Sequence, residues 1–201
     1  VTTPSHLSPT SFVSAATSYI GLGDECDVGA GRRSRLVEQC QRQVDCRSDE
    51  EWSAAFVHHV GYWSQYDHTA EQSRWPLPPA PNARLLAAYA RERGALLEGL
   101  PQEGDVFVQR SPAKRWFVRA GIVVRVLDVV RHFAKDAPMY ECTVIEGNSD
   151  AQGSLGGPDI VRITRRLSPL RGDRLIRWVL LQPRAIVAFD DARDFPMARA
   201  A

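Results

Sequence analysis

One change of rhythm constrains this chain more than any other feature: up to Gly99 its apolar residues recur at helical spacing, and beyond it they alternate. Phe12, Ala15, Ala16, Tyr19 and Ile20 predict a helix that opens after Ser8 or Thr10 and stops at Gly21-Leu-Gly23. A shorter helix is expected around Ser34–Val44. Ser48-Asp-Glu-Glu51 has the form of a capping box and predicts a third helix running to about Tyr62, with Trp52, Ala55, Phe56, His59, Val60 and Trp63 on one face. Pro76, Pro78, Pro79 and Pro81 forbid regular structure, so 64–81 is expected to be a long loop. Leu85, Leu86, Tyr89 and Ala90 then mark a helix over Asn82–Arg93, closed by Gly94. After Gly99, the segments 106–108, 117–126, 139–145, 160–164 and 175–180 read as strands, with turns at Asp136-Ala-Pro138 and Gly147–Pro158. Helices first and neighbouring strands second is an α+β order, with a mostly antiparallel sheet of about five or six strands. Residues 1–10 read as a flexible arm, 11–190 as a single domain and 191–201 as a tail.

Composition narrows the function classes. At 201 residues the chain is one domain's length, long enough to bury a core without a metal or disulfide staple. The longest uncharged apolar stretch, Trp178-Val-Leu-Leu181, is far short of a membrane span. A net charge of +1 spread along the chain argues against a nucleic-acid binder. Of the 25 basic residues only Lys114 and Lys135 are lysine, which reads as a genomic bias, with carboxylate or phosphate binding by some arginines as the alternative. Cys26, Cys40, Cys46 and Cys142 show no C-x-x-C spacing, which leaves burial or one disulfide among the first three. The start Val1-Thr-Thr-Pro4 carries no signal-peptide pattern, so the compartment stays open between cytoplasm and export with a leader removed.

Five short segments, in order, carry a resemblance. Ala16-Thr-Ser-Tyr-Ile-Gly21-Leu-Gly-Asp-Glu25 precedes Trp52-Ser-Ala-Ala-Phe-Val57. Pro101-Gln-Glu-Gly-Asp105 leads into a strand, Arg119-Ala-Gly-Ile-Val-Val124 forms the next, and Glu146-Gly-Asn148 ends the third. In this order the chain resembles the papain-like cell-wall hydrolases of bacteria, the CHAP and NlpC-type amidase/peptidase domains, over roughly residues 15–180. The resemblance implies a papain-like α+β fold and a cleft that takes a peptidoglycan peptide, a glycan fragment or a protein partner, with no cofactor and no metal. It places Ser53 at the family's nucleophilic cysteine, Arg119 at its histidine base, and Glu146 and Asn148 at the positions that orient the base. Trp52 and His68 are the residues expected to line the binding cleft.

Those substitutions decide the functional expectation. A serine hydroxyl needs a general base within reach, and arginine holds its proton at any ordinary pH. The expected function is therefore a catalytically degenerate domain that keeps its cleft for binding. The alternative is an active amidase or peptidase on cell-wall peptide bonds, with Ser53 as nucleophile and Glu146 or His68 as base, or with a cysteine there if the serine is a replacement. Trp52-Ser-Ala-Ala-Phe56 is also similar to a bacterial family that carries serine naturally. His58 and His59 follow Ser53 by five and six positions and should point away from it, His59 as a satisfied core histidine. His132 is expected at a distant hairpin tip. Asp190, Asp191 and Asp194 read as a solvated tail, Gly153-Ser-Leu-Gly-Gly157 as a turn, and Trp116, Phe117 and Trp178 as core or rim aromatics.

Overall fold

The computed structural model describes residues 8–22, 35–46, 51–67, 72–111, 113, 116–131, 138–149, 157 and 159–181. Helix α1 (Pro9–Ser18) carries a proline in its first turn, where its missing N–H is harmless. Past its end Gly21 adopts φ +79°, a left-handed conformation that favours glycine. Helix α2 (Arg35–Gln43) follows, then the central helix α3 (Ser53–Ser64). Trp52 caps α3 and Glu51 lies outside it, so the helix starts later than the capping-box pattern predicts. Most of that pattern, 47–50, falls outside the described residues. Helix α4 (Ala83–Glu92) opens on Asn82, whose side-chain oxygen accepts the Leu85 N–H at 3.0 Å.

Between α3 and α4 the expected loop contains a short antiparallel ribbon, β1 (Tyr66–Asp67) with β2 (Gln72–Ser73). The remaining strands are β3 (Leu96–Leu97), β4 (Val106–Arg110), β5 (Phe117–Arg131), β6 (Pro138–Ser149), β7 (Asp159–Leu167) and β8 (Arg174–Ile176). They form a single six-stranded sheet, ordered β3-β8-β4-β5-β6-β7, with every neighbouring pair antiparallel. The fold is thus α+β, with its helices ahead of its sheet. The strand expected over 175–180 is shorter: β8 ends at Ile176 and Trp178–Leu180 closes into a 3-10 turn. The indole of Trp178 donates to the Gly104 carbonyl at 2.8 Å and pins that turn to the start of β4.

Helix α3 carries no single apolar stripe, because it is enclosed on several sides. Every residue from Ser53 to Gly61 is buried. Helices α1 and α2 pack on it, as do β5 and β6. The Trp75 ring lies so close over Gly61 that a Cβ there would clash with it. Trp63, expected on the inner stripe, is 41% exposed because the last turn of α3 leaves the core. Trp178 is core, whereas Trp116 is exposed. Two apolar clusters occupy the faces of the sheet. Val106, Val108, Ala120, Ile122 and Ile145 pack toward the helices, and Phe107, Val123, Cys142, Val144 and Leu175 form the second cluster. Among the described residues no helix is long and apolar enough to cross a membrane.

Candidate functional site

Ser53 opens α3 and is 1% exposed. Its neighbour in space is the backbone of β5: the Ala120 N–H donates to Ser53 Oγ at 3.1 Å. The sheet itself explains this bond. Val123 exchanges its backbone bonds with the turn before β4, so alternation directs the N–H groups of Ile122 and Ala120 toward β6. The β5–β6 ladder starts only at Ile122–Ile145, and β6 breaks register between Glu146 and Ser149, with Asn148 at φ +61°. Ala120 is left without a strand partner there, and the serine hydroxyl supplies the missing acceptor. Trp52 is 3% exposed and seals the same place, its ring so near Gly147 that a Cβ there would sit 2.5 Å from Cζ3. It is thus a packing residue rather than an open cleft wall.

Arg119 and Glu146, which the resemblance assigns to one site, are in contact. Arg119 donates from Nη1 to Glu146 Oε1 at 2.8 Å, and both side chains are buried. Two further residues join them that sequence reasoning missed. The Ser149 hydroxyl donates to the same oxygen at 2.9 Å, and Arg165 of β7 reaches it through Nε at 3.1 Å and also through Nη2. Ser149 directly follows the Glu146-Gly-Asn148 motif and could have been considered with it. Arg165 carries no motif, because only strand pairing brings it near. Among the described residues Glu146 Oε2 and Asn148 Nδ2, both buried, have no hydrogen-bond partner.

Alternation along the strands sets the two halves of this site on different faces. Ala120, Ile122 and Ile145 face the helices, while Val123 and Val144 face the second cluster. Counting from them directs Arg119 and Glu146 away from α3. Ser53 approaches the backbone from the helix layer. No hydrogen bond joins Ser53 to Arg119, Glu146 or Asn148 among the described residues.

The ionisation states follow from burial. Glu146 is wholly enclosed, which pushes its carboxyl up to about 7 against the lowering pull of the Arg119 charge and of hydrogen bonds from Ser149 and Arg119. Burial holds His58 down at about 4, helped by the charge of His59 and opposed by hydrogen bonds to the backbone of Pro78 and Leu77. Burial likewise lowers His59 to about 4, where Nδ1 lies 2.7 Å from Gln43 Oε1 and the ring meets Tyr19 edge-on. Neither histidine contacts Ser53. His68, His132, Cys26, Asp190, Asp191 and Asp194 lie outside the described residues, as does the 153–157 turn except Gly157. Cys40, Cys46 and Cys142 are buried, and none of the three is in a disulfide. Burial raises the Cys40 thiol to about 12 and the Cys142 thiol to about 11, so neither supplies a thiolate near neutral pH. The described residues contain no group of three or more histidines, cysteines or carboxylates able to hold a metal ion.

This arrangement can hold a helix on a split sheet and neutralise a buried carboxylate. Among the described residues no base is hydrogen-bonded to the hydroxyl. No protein-family model, no curated protein and no solved structure matches the chain.

Proposed function

We propose that this chain is a catalytically silent, papain-like CHAP/NlpC-type bacterial domain that works by binding a peptide, a glycan fragment or a protein partner. The observation that carries the reading is the bond from Ala120 N–H to Ser53 Oγ at 1% exposure. A hydroxyl in that position is a structural acceptor. Its oxygen accepts from an amide of the sheet, it is closed to solvent, and among the described residues no base is hydrogen-bonded to it. The carboxylate that would be its alternative base is held by two guanidinium groups on the other face of the sheet. Amide hydrolysis needs a nucleophile that can lose its proton and an acid for the leaving amine, and neither is supported at this hydroxyl. The motif order quoted above supports the family reading, and the helix-then-antiparallel-sheet order is compatible with it.

A fluorophosphonate probe and a peptidoglycan-release assay test the silent site together. The expected result is no label on Ser53 and no released fragments. Ser53→Cys combined with Arg119→His should restore no turnover, because a side chain at 119 projects from the other face. Stoichiometric labelling of Ser53, or turnover by that double variant, would refute the reading.

A further inference from the structure

Between the β1–β2 ribbon and α4 the chain runs as Trp75-Pro-Leu-Pro-Pro-Ala-Pro81, a strap laid against α3. Four of the six residues from Pro76 to Pro81 have no N–H, and among the described residues no backbone–backbone hydrogen bond holds any of the six. Both ends are fixed. The Ser73 hydroxyl donates to the Tyr62 carbonyl at 2.8 Å and accepts the Trp75 N–H at 3.1 Å. The Trp75 ring packs on Phe12 and Trp178, with centroids 4.9 and 5.0 Å away. At the far end Asn82 caps α4. Between these anchors only Leu77 and Ala80 are buried, and the Tyr89 hydroxyl donates to the Pro76 carbonyl at 3.2 Å.

The strap closes over His58. That ring is 8% exposed and meets the backbone carbonyls of Leu77 and Pro78, yet its Nδ1 has no hydrogen-bond partner among the described residues. Trp75 Nε1, on the strap itself, is also buried without a partner. A neutral imidazole tolerates such enclosure, whereas an imidazolium carries two N–H donors and a charge that must be solvated. The surroundings offer no counter-charge. The strap has no titratable residue, and on α3 the charge that bears on His58 is that of His59, which repels it, with the Tyr62 ring 6.1 Å away. Helix α1 brings Tyr19 to His59, and α2 brings Gln43 to His59 and the Cys40 thiol to Tyr19. Helix α4 brings Tyr89 to Pro76, and Arg119 and Glu146 project from the other face of the sheet.

We propose that the segment 76–81 is an acid-released strap: protonation of His58 lifts it from α3 while its anchors, the helices and the sheet stay in place. Opening is the least costly route to hydrating the charge, because it uncovers only two apolar side chains, whereas the other neighbours of α3 are helices and the sheet. Burial holds the ring at about 4 in the closed form, below the ordinary 6.5. The closed form is therefore fully favoured above pH 6.5 and loses its advantage as the pH falls toward 4. At tenfold per pKa unit, the opening equilibrium grows roughly a hundredfold between pH 7.5 and pH 4. The strap lies away from the Ser53 end of α3, and its release stands whether or not that serine is silent.

Methyl NMR of the intact chain with a soluble gadolinium chelate reads the strap directly. As the pH is lowered from 7.5 to 4, the Leu77 and Ala80 methyl signals should broaden in step with protonation of the His58 ring, while the buried Ile122 and Ile145 methyls stay shielded. His58→Gln removes the titrating ring and should keep the strap signals sharp throughout. Leu77→Ala removes one of the two buried anchors and should enlarge the opening equilibrium about tenfold or more, which moves the broadening of Ala80 to higher pH. A thermal melt verifies that each variant folds, and the Leu77→Ala displacement decides alone should His58→Gln not fold. Strap methyls that stay shielded down to pH 4 would overturn the proposal. So would exposure of Ile122 and Ile145 in the same step, which is global unfolding, or the same opening in His58→Gln, which assigns the trigger to another group.

Discussion

Burying a charge is tolerable only when partners replace its water, and Arg119 is tied to the fold in that way. Its guanidinium sits 2.8 Å from a carboxylate that has no solvent contact. Removing one member of a buried pair leaves the other stranded, typically at a cost of about 3 kcal/mol or more. Arg165 shares Glu146 and offsets part of that loss. Arg119→Ala should therefore destabilise the protein by about 2–3 kcal/mol, read as a lowered urea midpoint with an unchanged slope. An unaltered midpoint would mean that the pair opens to water in solution. The resemblance made this partnership readable, since it puts Arg119 and Glu146 at two positions of one site on neighbouring strands. The third and fourth members were not readable, because nothing local to Ser149 or Arg165 marks them.

Helix α3 and strand β6 touch without side chains to spare at Gly147. A methyl group there would lie 2.5 Å from the Trp52 ring and 2.9 Å from Phe56 Cβ. Both neighbours are buried, so neither can step aside cheaply. Gly147→Ala should cost about 1–3 kcal/mol and push α3 away from the gap between β5 and β6. That movement would lengthen the Ser53–Ala120 bond, so the Ala120 amide should exchange faster with solvent in the variant. Equal exchange and an equal melting temperature would show that α3 tolerates the methyl in place. The same packing explains an element the sequence misread. A helix predicted with one apolar stripe is enclosed by α1, α2, the sheet and the Trp75 loop, so its helical periodicity lost its meaning.

For the whole molecule, buried histidines and buried carboxyls set opposing pH dependences. His58 and His59 sit at about 4, below the ordinary histidine value of 6.5, so the unfolded chain binds their protons more tightly. Their contribution is present above pH 6.5 and is lost as the pH falls toward 4. Glu146 sits at about 7, above 4.5, so the folded state binds its proton more tightly. Its contribution is present below pH 4.5 and is lost as the pH rises through 7. Burial also raises the Asp173 carboxyl, with the same sign as Glu146, and the two large histidine shifts outweigh both. Stability should fall on acidification from pH 6.5 to 4, by a few kcal/mol in total at about 1.4 kcal/mol per pKa unit. Urea midpoints measured across that range should trace the decline. His59→Asn, which can keep a hydrogen bond to Gln43, should remove roughly half of the histidine slope. A flat profile in the unaltered protein would show that both histidines reach water in the native state.

The sequence by itself determined the order of helices and strands and the antiparallel character of the sheet. These depend on local periodicity and on turn residues such as Gly21 and Asn82. Only the tertiary structure decided what Ser53 does. Whether a hydroxyl at a helix start is a nucleophile or an acceptor depends on which atoms surround it, and those belong to residues 67 positions away in the chain. It also decided the faces. A strand pattern fixes which residues share a side, and the packing of α3 on that sheet fixes which side becomes the helix layer. The edge position of β7 arises in the same way, since a strand is an edge only once every other strand has found its neighbours.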